Sequence, residues 1–435
     1  MMAPSVDSSS RTTDQPPTIG SEGRRPLLPL AEAVGAVLEA THPLAPEEVE
    51  LAEALGRTLA QTVQSADDIP PFDNSAMDGY ALRAEDTAAA AEGAPVRLRA
   101  VGESRAGSPA EVPAREGEAI AISTGAAMPE SSDAVARIED VTVLGDDIEL
   151  AAPIRPGAEV RRAGEDVRAG QTVLEPGTRL GPAEIGVAAS VGVAALVCAP
   201  KPRIAIVVTG DELVEPGEPL GPGAIRNSNA YALRALATEA GCEVVSVETV
   251  GDDRAATIAA IEQGLACDLL VVSGGVSVGQ HDHVKPAFAE LGIEESFWGI
   301  ALRPGRPTWF GTARGGAPLV FGLPGNPVSA MVTFLVLVAP ALAGMKGAAR
   351  AERRVEAVLD EDYAKRSGRL HAVRCSLTLG DDGWHARPTG PQGSHVLTSM
   401  LGADGLAMVP AESGDVPAGT RVQILLLRTP VAGSR

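Results

Sequence analysis

A chain of 435 residues has room for about three domains, and 45% hydrophobic residues with only 3% aromatic ones require cores built from aliphatic side chains. Its 36 basic and 57 acidic residues leave a net charge of −21, which excludes a nucleic-acid groove or an anionic membrane as the main partner. An anion pocket must therefore be locally positive, and a few clustered arginines suffice because salt screens charges beyond ~8 Å.

In chain order, residues 1–25 are rich in Ser, Thr, Pro and Gly and are expected to be disordered. The spacing predicts helices over Pro29–Thr41 and Pro46–Val63, the second with Val49, Leu51, Leu55 and Leu59 on one face. A proline-punctuated extended stretch follows from Asp67 to Tyr80. Short alternating runs from Val96 to Ala152 predict a small β-rich part. Residues 153–200 read as turns plus a helix near Pro182–Val191, able to return and pack on residues 26–66.

From Arg203 the pattern alternates strand and helix. Strands are predicted at Arg203–Val208, Glu243–Val250, Asp268–Val272 and Leu319–Phe321, with helices at Ser228–Ala240, Arg254–Ala266 and Val328–Leu342. Such alternation implies a parallel three-layer α/β domain over residues 201–350. Residues 351–435 return to short strands and turns, as in a small β-barrel, so the fold class is multidomain α/β plus β. Cys198, Cys242, Cys267 and Cys375 have no metal-ligand spacing and read as buried free thiols. The apolar run Met331–Met345 contains Pro340 and is short for a membrane span, so the chain is expected to be soluble and cytoplasmic.

Three glycine-rich loops follow buried strands: Thr209–Gly210–Asp211–Glu212, Ser273–Gly274–Gly275–Val276–Ser277–Val278–Gly279, and Gly322–Leu323–Pro324–Gly325–Asn326–Pro327. At the carboxyl edge of a parallel sheet they line one crevice, and glycine lets backbone N–H groups reach an anion. Asn326 and Pro327 suit the first positions of a helix, whose N–H groups face such a ligand. Asp211, Glu212, Asp252 and Asp282 gather at strand ends, either as caps and a solvated rim or around Mg²⁺ bridging phosphates. Arg303 and Arg306, in Arg-Pro-Gly-Arg-Pro, make a stiff cationic turn for phosphate or a tetrahedral oxyanion. His281 and His283 lack a third zinc ligand nearby, and no base stands beside Ser273 or Ser277 in the sequence.

The ordered segments PPFDNSAMDGYALR, STGAAMPESSDAV, RRAGED, TGDEL, SGGVSVGQHD, RPGRP, GLPGNPVSA and GPQGSH run from Pro70 to His395. Together they resemble the molybdopterin molybdenumtransferases, the bacterial MoeA type and the E domain of gephyrin. The resemblance implies four structural parts and an elongated homodimer, with the active site between the α/β domain of one subunit and the β-rich part of the other. It implies Mg²⁺-dependent insertion of molybdate into adenylylated molybdopterin, with release of AMP. Molybdopterin adenylyltransferase and molybdoenzyme chaperones are the further partners it implies.

Carried over by motif, Asp78, Thr124 and Asp166 face the partner's pocket, while Asp211, Glu212, Asp252 and Asp282 handle metal or attacking water. Thr209, Gly210, Ser273, Gly274, Gly275, Ser277 and Gly279 hold the pterin nucleotide, Arg303 and Arg306 hold the anion, and Pro324, Gly325, Asn326 and Pro327 shape the molybdate subsite. The chain departs from the family's pattern with arginines for lysines at Arg303 and Arg306, with His283 for tyrosine, and with Asn227 for an acid. A synaptic-type scaffold and the adenylyltransferase of the same pathway are the rival readings; the SAMDGY segment and the C-terminal barrel tell against the latter.

Overall fold

The structure, a computed structural model, describes residues 26–276, 282–348 and 354–428. Its centre is a six-stranded sheet in the order Glu243–Val250, Arg203–Thr209, Leu269–Ser273, Leu319–Leu323, Trp309–Thr312 and Glu294–Trp298. Ile204 to Val208 and Leu269 to Val272 are almost wholly buried on both faces, as continuous apolar runs demand of strands covered by helices on either side. Helix Ser228–Glu239 and the long helix Pro327–Met345 pack on one face through Leu233, Ala237, Val328 and Leu337. Arg254–Gly264 and Val284–Glu290 cover the other through Ile261 and Phe288. That is the expected three-layer domain.

One expectation is corrected: the sheet is not wholly parallel. Trp309–Thr312 runs antiparallel to Leu319–Leu323 and to Glu294–Trp298, because the short Ala313–Pro318 connection permits only a hairpin. Pro327–Met345 is apolar enough to cross a membrane by composition, with mean hydropathy 2.1, but 67% of it is buried in the protein. It is the core helix of the α/β domain, and a π-helical turn at Phe334–Val338 interrupts it.

A second correction concerns Pro46–Val63. No α-helix forms there: Glu47–Glu50 is a strand, followed by a single 3-10 turn at Leu51–Glu53. The strand pairs antiparallel with Ala195–Cys198, and only Val49 of its four side chains is buried. Gly56, at φ +77°, turns the chain before any helix is built. The two separated stretches do come together as expected, since Val49, Leu59 and Val63 share a core with Leu174, Leu180 and Ala188. Helix Leu30–Glu39 leaves this region and packs on the α/β domain through Ala33 and Val37.

The β-rich part forms its own six-stranded sheet from the strands between Gly79 and Leu150. At the C-terminal end, Leu370–Gly380, Gly383–Pro388, Arg354–Leu359, Arg421–Leu426 and Gly405–Val409 close into a five-stranded barrel through the pairing of Leu370–Gly380 with Gly405–Val409. All four cysteines are free and buried, and burial drives the thiol of Cys375 up to about 12 and that of Cys242 to about 11.

Candidate active site

The sheet reverses its order beside Arg203–Thr209: the next strand in sequence lies on one side and Leu269–Ser273 on the other. A crevice opens outside the carboxyl ends at such a point, and two of the glycine loops start there. Gly274, at φ +98°, packs so tightly that a Cβ would lie 2.7 Å from Thr209 O and Oγ1. Gly275, at φ +62°, would meet Val284 Cγ2 at 2.5 Å. The third loop closes on them: a Cβ on Gly325 would sit 3.7 Å from Gly274 Cα. At Gly274 and Gly275 a side chain would be blocked, and the third loop lies in van der Waals contact with them.

Asn229 ties these loops together. Its Nδ2 donates to Ser273 Oγ at 3.0 Å and to Gly325 O at 2.8 Å, and Ser273 Oγ donates to Pro324 O at 3.3 Å. Asn227, wholly buried, caps the helix by accepting from Ala230 N at 3.1 Å and donates to Thr249 Oγ1 at 2.8 Å. An acid there would lose that donation. Asn326 stands at the N-cap position of the long helix, but its side chain caps nothing. Of the helix-start N–H groups expected to face a ligand, that of Val328 is taken by Ser394 O at 3.1 Å.

The carboxylates split by task. Asp211 Oδ1 accepts from Asp252 N at 2.8 Å, so it fixes the next loop and keeps Oδ2 for other work. Glu212 lies over Gly210, whose Cβ would meet Glu212 Oε2 at 2.5 Å. Asp211, Glu212 and Asp252 are exposed at the crevice edge and Asp282 is half-buried. Among the described residues no group of three or more His, Cys, Asp or Glu side chains comes into metal-binding arrangement. Oxygen-only donors nonetheless fit Mg²⁺, which takes one or two carboxylates and fills its shell with water and phosphate oxygens. Ser277, Gly279 and His281 lie outside the described residues.

Arg303 and Arg306 are exposed on a turn whose backbone is locked. Gly305, at φ +121°, leaves no room for a Cβ beside Thr333 Cγ2 at 2.5 Å, and Thr308 Oγ1 donates to Gly305 O at 2.7 Å. Arg369 stands near both: its guanidinium pKa is lowered first by burial, then by the charges of Arg303 and Arg306. Burial first, then Lys365, Arg303 and Arg369, pushes His371 down to about 4. Sequence reading missed Arg369 and Asn229. A second asparagine two residues past a helix cap was the only signal for Asn229, and Arg369 gave none.

On the β-rich part, Asp78 and Thr124 meet, Thr124 N donating to Asp78 Oδ1 at 2.8 Å. Asp166 stands on the returning stretch of chain and is tied to a different segment, its N–H bonding Ile69 O at 3.0 Å. Asp73, not singled out in the sequence, joins the two motif stretches: it accepts from Ala163 N at 2.8 Å and from Arg162 Nη1 at 2.6 Å. These contacts, the Ala163 N–H foremost, hold its pKa down. Asp78, Thr124 and Asp166 are exposed and stand apart from the α/β sheet.

Comparison with known proteins gives this arrangement relatives. Residues 28–192 match the "MoeA N-terminal region (domain I and II)", 205–344 a "Probable molybdopterin binding domain", and 356–427 the "MoeA C-terminal region (domain IV)". The molybdopterin molybdenumtransferase of Haemophilus influenzae is 36% identical over 92% of this chain and 98% of its own. That of Bacillus subtilis is 33% identical over 93% and 95%. The crystal structure of a molybdopterin biosynthesis MoeA protein from Pyrococcus horikoshii superposes with a TM-score of 0.79 at 32% identity, covering 92% of this chain and 100% of that one.

Proposed function

The chain belongs to the MoeA family of molybdopterin molybdenumtransferases, enzymes of molybdenum cofactor biosynthesis, and from that premise we propose that it inserts molybdate into adenylylated molybdopterin and releases AMP. One observation carries this reading: three glycine loops converge at the sheet's switch point, and the helix that follows the third of them carries Thr333 against the rigid turn bearing Arg303 and Arg306. A pyrophosphate link and a tetrahedral dianion need that combination of backbone donors and fixed cations.

In this reading Gly274, Gly275 and Gly325 admit the pterin phosphate against backbone, and Asn229 holds their loops in register. Arg303 and Arg306 bind molybdate as bidentate forks. Asp211 and Glu212 would hold Mg²⁺, which would supply charge neutralisation at the pyrophosphate. Asp252 and Asp282 orient the attacking oxygen. Asp78, Thr124 and Asp166 act from a second copy of the chain, because within one chain none of them belongs to the α/β sheet. Catalysis then rests on positioning and electrostatics.

The test is AMP release from adenylylated molybdopterin by purified protein, with Mg²⁺ and with or without molybdate. Molybdate-dependent release with active cofactor formed is the expected result. Tight binding of the substrate with no release under any condition would remove the insertase reading.

A further inference from the structure

We infer that Trp298 is a positioning residue for the second glycine loop: its one indole pins the chain on both sides of residues 277–283. The consequence for the pterin nucleotide rests on the functional reading above. Trp298 ends the edge strand Glu294–Trp298 and lies opposite Trp309 in the antiparallel ladder. Side chains alternate along a strand. Phe297 accordingly packs on Phe310 in one core, their ring centroids 5.5 Å apart, while Trp298 packs against the opposite core, the one that holds Val276 and Val284.

A phenylalanine could cover that face as well; what the indole adds is a donor. Trp298 Nε1 donates to Val276 O at 2.9 Å, the kind of partner a half-buried indole N–H takes up. Val276 is 2% exposed, and its side chain fills the notch at Gly322, where a Cβ would meet Val276 Cγ1 at 2.6 Å. The loop is thus gripped by a side chain on the sheet and by a carbonyl on the indole. Beyond residues 277–283 the chain enters helix Val284–Glu290, and Lys285 Nζ lies 4.9 Å from the centroid of the same Trp298 ring, a cation–π contact. Gly274 and Gly275 directly precede Val276, so a shift of Val276 moves the two backbones that are proposed to meet the phosphate.

The experiment compares full-length wild type with Trp298→Phe, which keeps a ring beneath Lys285 and loses only the N–H. Trp309→Phe is the control: it too loses one indole bond, from Trp309 Nε1 to Glu295 Oε2 at 2.9 Å, but that bond joins two strands and not the loop. Amide hydrogen exchange is followed at Gly274, whose N–H donates to Leu323 O at 3.1 Å, together with binding and turnover of adenylylated molybdopterin. In W298F the Gly274 amide is expected to exchange about tenfold faster and the KM for adenylylated molybdopterin to rise about tenfold, with kcat little changed. W309F is expected to lower the urea midpoint and leave both quantities at wild-type values. Unchanged exchange and affinity in W298F overturn the inference, and so does an equal change in W309F, which would trace the effect to general loosening. A wild-type protein that does not bind adenylylated molybdopterin removes the functional reading instead; the exchange rates then decide the pinning, faster exchange in W298F alone supporting it and equal rates overturning it.

Discussion

Gly274 shows how single residues decide this site. Its positive φ, together with the 2.7 Å approach of a would-be Cβ to Thr209, leaves alanine no place without moving a loop. Gly274→Ala is therefore expected to cost about 1–3 kcal/mol of stability and to abolish pterin binding; urea unfolding and ligand titration measure the two effects separately. Asp78 gives the opposite case. It is exposed, and its carboxylate accepts one backbone bond, from Thr124 N. Asp78→Ala should unfold within about 1 kcal/mol of the wild type yet lose turnover, and a folded, fully active variant would remove the residue from the mechanism.

His371 supplies a pH signature. It is only 3% exposed, and its pKa falls to about 4 from an ordinary 6.5. The unfolded chain then binds a proton that the folded chain refuses, so stability drops as pH falls below 6.5. The loss reaches on the order of 3 kcal/mol near pH 4. His371→Gln, neutral throughout, should show a shallower decline over that window in urea midpoints. An identical slope in both proteins would mean that His371 is not held neutral.

At the scale of elements, what could be read from the sequence follows burial. Ile204–Val208 and Leu269–Val272 are covered on both faces, so their strands appear as unbroken apolar runs. The Val49, Leu51, Leu55, Leu59 spacing looked helical, yet Leu55 is 64% exposed and Val49 is buried in a strand. What decides that segment is a partner strand about 150 residues away in sequence. The reversed direction of Trp309–Thr312 is equally invisible, because strand direction depends on connections and not on composition. Helix contacts bring a prediction of their own: at Gly344 a Cβ would lie 2.9 Å from Thr41 Cγ2, where the long helix crosses the start of the chain. Gly344→Leu should cost about 1–3 kcal/mol through overpacking, read as a lower urea midpoint with the transition slope unchanged.

At the scale of the whole molecule, the glycine loops and acids of the crevice were legible because each sits in a contiguous motif. Arg369 was not, because only the register between two domains brings its segment beside that of Arg303. The same limit applies to Asp78, Thr124 and Asp166, none of which belongs to the sheet whose crevice they are proposed to complete. If two copies share each site, Asp78→Ala and Arg303→Gln damage different contributors to it. A homodimer of either variant has no intact site. A mixed dimer has one site carrying both defects and one carrying neither, because the intact Asp78 and the intact Arg303 then face each other. Random exchange makes half of the dimers mixed, with one good site in two, so the mixture should recover roughly a quarter of wild-type AMP release. The variants must be unfolded together and refolded, or co-expressed, to exchange subunits. Recovery near that level requires a shared site, whereas a mixture as inactive as its two components would place all of the catalytic groups within one chain.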